Sequence, residues 1–232
     1  MPEGPEIWRV ADRLSDALVD KRADEIFFAF ERLKRYESEL AGLEVVNIEP
    51  RGKAILTRFA NELNIYSHNQ LYGKWKIVEN GKVPDTNRQL RLSISNKQYS
   101  AILYSASEIE VLTDKELEDH DYLKKLGPDL LHPDTDIDTV KNRYFDDNFK
   151  NRKVATLLLD QGFVSGVGNY LRAEIMFVAG VHPDLKLREC SDKQKEKMAE
   201  ASLKLARRSY ETGGVTTDTK TVEALKREIA SV

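Results

Sequence analysis

The chain has 232 residues, 41% of them hydrophobic and 32% charged, with a formal net charge of −3. That balance fits a soluble globular protein long enough for two modest domains, and the absence of any run of 18 apolar residues excludes a membrane-spanning helix. A single cysteine, Cys190, excludes an internal disulfide framework and an all-cysteine zinc site, and the four histidines (His68, His120, His132, His182) show no ligand spacing.

The N-terminus lacks the basic-then-apolar layout of a secretory signal, so a cytoplasmic protein is expected. Acidity is concentrated in one stretch. Residues 106–138 carry 3 basic and 11 acidic side chains, while the rest of the chain carries 33 and 28. A local positive face suited to nucleic acid is therefore allowed, and so is charge spread evenly over a solvated surface.

In chain order, Ile7, Val10, Ala11, Leu14 and Leu18 recur at helical spacing and predict a helix over residues 5–19 with one buried stripe. Short β-rich runs follow around Val45, Ile55–Leu56 and Leu63–Ile65. The clearest alternation is Leu90, Leu92, Ile94 and then, past Asn96-Lys97, Tyr99, Ala101, Leu103. Asn80-Gly81 signals a turn after a strand over Trp75–Val78. Short strands at this spacing favour a sandwich or barrel-like sheet over a parallel βαβ sheet. The acidic stretch 106–138, with Gly127-Pro128 and His132-Pro133, reads as short helix and linker. Helices are expected over Val140–Phe149, Val154–Gln161, Tyr170–Ala179 and Lys193–Tyr210, with Gly180 and Pro183 stopping the third. A short amphipathic segment closes the chain. The expected division is 1–125 for a sheet domain with its N-terminal helix, 126–134 for a linker, and 135–232 for a helical domain.

Four segments carry chemical potential. The first is Met1-Pro2-Glu3-Gly4-Pro5-Glu6. Removal of Met1 would leave Pro2 as a terminal secondary amine. With an α-amine pKa near 7.7–8.0, roughly a third would be unprotonated at pH 7.5, against about 0.1% of an ordinary lysine. Such an amine is a nucleophile without a dedicated base. The structural alternative is a helix start, with Pro2 and Pro5 flanking it and Glu3 and Glu6 at its positive end. The second is Arg51-Gly52-Lys53-Ala54, whose lysine either binds phosphate and donates a proton from a cleft or is simply solvated. The third, Ser67-His68-Asn69-Gln70-Leu71-Tyr72-Gly73, suits a wedge entering a base stack, or else a half-buried hairpin end. The fourth runs from Asp160 to Arg172. Its Gly-rich turn leads to Gly168 and Asn169, where Asn169 is a candidate helix cap and the free N–H groups a candidate phosphate site.

Taken together and in this order, MPEGPEI, RGKAIL, SHNQLYG, LYSAS at 103–107, LGPDLL at 126–131 and LLLDQGFVSGVGNYLRAEI at 157–175 resemble the formamidopyrimidine-DNA glycosylase/endonuclease VIII family of base-excision repair enzymes. Gly4 and the Gln70-Leu71-Tyr72 triplet fit the bacterial endonuclease VIII branch. The resemblance implies an α+β fold, with an N-terminal helix and β-sandwich followed by a helix–two-turn–helix domain. It implies a bifunctional glycosylase and abasic-site lyase for oxidised pyrimidines. The alternatives are an oxidised-purine glycosylase and a catalytically silent damage-binding protein.

By the same resemblance, Pro2 attacks C1′ and forms a Schiff base, Glu3 is the general acid at the sugar ring oxygen, Lys53 contacts phosphate and donates a proton, and Glu6 organises the site. Gln70, Leu71 and Tyr72 fill the void left by the flipped nucleotide. Lys125, Gly168 and Asn169 contact phosphates. The partner implied is double-stranded DNA with a damaged base or abasic site, the protein is expected to be a monomer, and no membrane is involved. The family's structural zinc sits in a C-terminal four-cysteine finger that this chain does not contain, so no cofactor is expected within it. Lys226-Arg227-Glu228-Ile229 falls about where that finger would start, and truncation of a longer protein is expected over a finger-less variant.

Overall fold

A computed structural model describes residues 2–230; the expected processing at Met1 concerns a residue outside that range. Helix α1 (Gly4–Leu18) has proline in its first turn and buries Ile7, Ala11, Leu14 and Leu18 on one stripe, with Val10 half-covered. It lies across a sandwich of two antiparallel sheets. The five-stranded sheet takes the order β1 (Lys21–Arg22), β3 (Glu44–Arg51), β4 (Ala54–Phe59), β5 (Leu63–His68), β9 (Glu108–Thr113). The four-stranded sheet runs β2 (Glu25–Phe28), β7 (Leu90–Ser95), β8 (Tyr99–Tyr104), β6 (Lys74–Glu79). Alternate residues such as Ile55, Ile65, Leu92, Ile94 and Leu103 meet α1 in one core. Each of these buried aliphatic side chains contributes about 1.5–3 kcal/mol. Short helices α2 (Arg35–Leu40) and α3 (Asp114–Asp119) trim the edges.

The helical half packs α4 (Ile137–Phe145), α5 (Val154–Leu157), α6 (Asn169–Ala179) and α7 (Asp192–Thr212) around a second core that includes Val140, Phe163, Leu171, Ile175 and Met198, and α8 (Thr219–Ala230) follows it in the chain. Asp136 caps α4 through Thr139 N (2.7 Å), and Ser191 caps α7 through Gln194 N (3.3 Å). Gly180, at φ 63°, ends α6 in the left-handed conformation that a side chain resists. The halves are fastened along α1 and α7. The Arg9 guanidinium donates to the carbonyls of Ser209 and Tyr210, and Tyr210 Oη donates to Asp12 (2.6 Å).

Two expectations are corrected. The acidic stretch contains a strand, β9, that pairs with β5 along its whole length. Ile109 and Val111 point inward, while Glu108 and Glu110 alternate with them toward the rim. Asn80-Gly81 turns the chain as expected, with Lys82 N bonded to Glu79 O (3.0 Å), and β6 then pairs with β8 rather than with the segment just after the turn. Pro84 and the polar residues after the turn offer no alternating run to pair. Finally, α5 stops at Leu157 and does not reach Gln161. Asp160 and Gln161 turn their side chains onto nearby backbone groups, which competes with the helix.

Candidate active site and nucleic-acid interface

Glu3 is the N-cap residue of α1, and its own N–H donates to Glu6 (2.9 Å). Its side chain does not stay with its own helix. The carboxylate crosses to the other half and accepts from Gly168 N (2.8 Å), Tyr170 N (2.8 Å) and Leu171 N (3.2 Å) at the start of α6. Two backbone contacts make this approach possible. Gly4 N donates to Gly166 O (2.7 Å), and a Cβ on Gly168 would lie 2.4 Å from the Glu3 carboxyl carbon. Glu3 is thus 3% exposed, and burial pushes its pKa up while the three amides and the Lys53 charge pull it back.

Two expectations at α6 change accordingly. The N-cap position is Gly168, with Asn169 in the first turn, exposed and with no side-chain hydrogen bond among the described residues. The helix-start amides of Gly168, Tyr170 and Leu171 serve a carboxylate of the same chain, so the phosphate site expected there is already filled by Glu3.

Lys53 sits in the tight turn between β3 and β4, where Gly52 has φ 62°. It is 6% exposed and has no carboxylate within 4.0 Å among the described residues. Burial lowers its pKa, and Glu3 partly restores it. The turn is held from outside: Lys53 N donates to Tyr122 Oη (2.9 Å), and Gly52 N donates to Asp129 Oδ2 (3.3 Å). Asp129 also accepts from Trp8 Nε1 (3.4 Å) and Leu131 N (2.9 Å), so one half-buried carboxylate ties α1, the Lys53 turn and the interdomain segment together. Glu6 accepts from Arg9 (2.9 Å) and Tyr170 Oη (3.3 Å), which continues the cross-domain network that begins at Glu3. Pro2, half-buried, immediately precedes Glu3.

After β5 the chain projects a tight loop, closed by Gly73 N to Asn69 O (2.7 Å). Gln70 takes a left-handed φ of 50°, with its amide donating to Glu108 (3.0 Å) and accepting from Ser107 Oγ (2.6 Å). Beyond it Leu71 and Tyr72 are 58% and 68% exposed, an apolar tip with nothing over it among the described residues. Lys125 stands at the surface with its ammonium 3.9 Å from Asp121, and its backbone abuts Gly162 in the turn that leads to α6.

The structure therefore gathers Pro2, Glu3, Glu6 and Gly168 into one junction, with Lys53 close enough to Glu3 for each to shift the other's pKa. Asn169 flanks the junction, while Gln70–Tyr72 and Lys125 stand apart on their own loops. Asp129, Tyr122, Tyr170 and Gln161 were not assigned roles from sequence. Gln161 shapes the Gly-rich turn, accepting from Gly166 N (3.0 Å) and donating to Val167 O (3.0 Å). The only signal for it was a polar residue after an apolar helix.

The residues present do not fit the zinc that the resemblance implies. Cys190 is buried with its thiol pKa pushed up, and no group of three His, Cys, Asp or Glu suited to a metal occurs among the described residues.

An N-terminal helix on a β-sandwich thus meets a helical domain, with Pro2 half-buried and Glu3 buried where the two come together. The formamidopyrimidine-DNA glycosylase N-terminal domain model matches residues 1–104, and the H2TH domain model of the same enzymes matches residues 126–221. Endonuclease 8 of Escherichia coli (strain K12 / DH10B) is 45% identical over 227 residues, covering 98% of this chain and 86% of that protein. Endonuclease 8 of Shigella sonnei is 44% identical over the same lengths. The chain belongs to the formamidopyrimidine-DNA glycosylase family, alongside proteins named endonuclease 8. Among solved structures, Lactococcus lactis formamido-pyrimidine DNA glycosylase bound non-covalently to DNA containing an abasic site shares the fold. Its TM-score is 0.78 at 19% identity, covering 91% of this chain and 83% of that one. A second complex of the L. lactis protein with abasic-site DNA gives 0.79, also at 19% identity, covering 94% and 81%.

Proposed function

We propose that this chain excises oxidised pyrimidines from duplex DNA and then cleaves the strand as an abasic-site lyase, with Pro2 as nucleophile. The observation that carries the reading is the junction itself: Pro2 beside a carboxylate that is buried, bonded to three helix-start amides and electrostatically coupled to Lys53. The Pro2 nitrogen attacks C1′, the C1′–O4′ bond opens with a proton from Glu3 to the ring oxygen, and the base departs. The iminium that results acidifies C2′–H. β-Elimination then breaks the C3′–O bond, and δ-elimination breaks C5′–O, leaving a one-nucleotide gap with phosphorylated ends. Burial keeps the Lys53 pKa low, which eases proton donation from its ammonium.

The Gln70–Tyr72 tip fills the space left by the extruded nucleotide, and Asn169 and Lys125 meet flanking phosphates. In this reading residues 1–125 supply the chemistry, 126–134 the hinge and 135–232 the duplex grip. The protein acts as a monomer in the bacterial cytoplasm. That no described helix is long and apolar enough to cross a membrane is consistent with a partner that is DNA.

The test is borohydride reduction of the protein mixed with an abasic-site duplex, read by intact mass and peptide mapping. A covalent adduct on Pro2 is expected. A folded protein whose mass shows Met1 removed, and which forms no adduct, would overturn the reading in favour of a silent binder. A lesion panel then separates pyrimidine from purine preference.

A further inference from the structure

Beside the exposed tip lies a groove that the chemistry above does not use. It has a volume of about 460 Å³ and is lined by Tyr72, Asn87, Arg88, Gln89, Arg91 and Ser105. Two of the six are cations. Neither has a carboxylate within 4.0 Å among the described residues, unlike Arg9, Arg58 and Arg152, which are ion-paired. Guanidiniums that line a polar concavity and donate only to neutral oxygens, Arg88 to the Tyr72 carbonyl and Arg91 to Gln89 Oε1, keep a charge free for an anion.

The backbone around the groove is irregular where it needs to be. β7 and β8 fall out of register between Leu90 and Leu92, so Arg91 is the extra residue of a β-bulge. Across from it, Ser105 adopts a φ of 55° and bonds through its N–H to Gln89 O (2.8 Å). A bulge re-aims the side chain it carries. Here it brings the Arg91 guanidinium over the Phe30 ring (5.2 Å), with Arg32 also over that ring (4.9 Å). Arg91 Nε is buried and finds no partner among the described residues. Arg88 reaches the other way and donates to the Tyr72 carbonyl (2.6 Å), which ties the groove to the tip that carries Leu71.

We infer that Arg88 and Arg91 form a second phosphate-binding site, which grips the backbone of the duplex beside the point where the Gln70–Tyr72 tip enters. The inference rests on the proposed function, since it takes DNA as the ligand. A backbone contact carries no sequence information, so the site would serve undamaged and damaged duplex alike. Its function is to hold the DNA while the tip is inserted, with the same Arg88 side chain reporting on both.

The experiment measures duplex binding by fluorescence anisotropy across a salt series, for the full chain and for Arg88→Ala/Arg91→Ala, with Arg58→Ala as a control that removes an ion-paired charge. Each phosphate contact contributes about 0.9 to the slope of log K against log salt. The double variant should lose about 1.8 from that slope, equally on abasic and undamaged duplexes, and Arg58→Ala should lose none. Arg88→Lys, which keeps the charge, should retain the slope. An unchanged slope in a folded double variant overturns the inference. So does an affinity loss confined to the abasic duplex, which would make Arg88 only a support for the tip. A wild-type protein that traps abasic DNA on Pro2 while the variant slope stays put refutes this site alone. A wild type that neither traps nor binds duplex refutes the site together with the reading beneath it.

Discussion

Replacing Glu3 with glutamine keeps size and shape, and it changes the carboxylate that reaches from the start of α1 to the far domain. In the folded protein Oε2 accepts from Gly168 N and Leu171 N, while Oε1 accepts from Tyr170 N. An amide has one acceptor oxygen, so its NH2 must face at least one of these donors. Leaving a buried N–H unpaired costs about 1–3 kcal/mol, and losing the charge at the positive end of α6 costs up to about 2 kcal/mol more. Against this, the neutral group is cheaper to bury, because desolvation is the largest influence on the Glu3 pKa. The net loss is what remains of those costs after the desolvation relief, and for a chain of this length each kcal/mol of it lowers Tm by about 2–4 °C. Scanning calorimetry checks the stability, and single-turnover excision of an oxidised pyrimidine checks the chemistry. Glu3→Gln should excise no base yet still trap a preformed abasic site on Pro2, because ring opening is then no longer coupled to base loss. An unchanged Tm would refute the cross-domain cap, and normal excision would refute the acid role.

Gly168→Ala should be as damaging as any change at Glu3, because its methyl would lie 2.4 Å from the Glu3 carboxyl carbon; a Tm drop of less than about 2 °C would contradict the close approach. Leu71→Ala removes an exposed side chain and should leave Tm within error, while slowing lesion excision more than cleavage of an abasic duplex, where part of the flipping cost is already met. Equal slowing on both substrates would dismiss the wedge. Lys53→Met should abolish strand cleavage and leave Tm unchanged or higher, because burial disfavours the charged lysine. The sign of the linkage follows. The Lys53 pKa is lower in the folded chain, so the unfolded chain binds more protons, and wild-type stability from this group rises with pH between its lowered value and the ordinary lysine value. Lys53→Met should flatten that rise in a pH series of melting curves.

Much was determined by sequence alone where the signal is local. The stripe on α1, the alternation of β7 and β8 and the stop of α6 at Gly180 depend on residues close together in the chain, and each stands as the spacing implies. The strand β9 escaped because its glutamates dominate the composition, even though Ile109 and Val111 carry the period of two beneath them. The partner of β6 could not be read either, since pairing with β8 requires closing a loop past Arg88, and loop closure leaves no mark in a window of a few residues.

The decisive assignments at the site were tertiary. Glu3 reads as a helix-start residue of α1, but its carboxylate spends its hydrogen bonds on α6, 165 or more residues away. Asn169 reads as a cap, but a charged acceptor buried at the same amides outcompetes a neutral side chain that water can satisfy instead. Sequence named the residues at the junction, Pro2, Glu3 and Lys53, because each can be read directly from the chain. Which of them meet, and which backbone groups are left for DNA, was decided only by the packing of two domains, where burial makes every unpaired polar group costly.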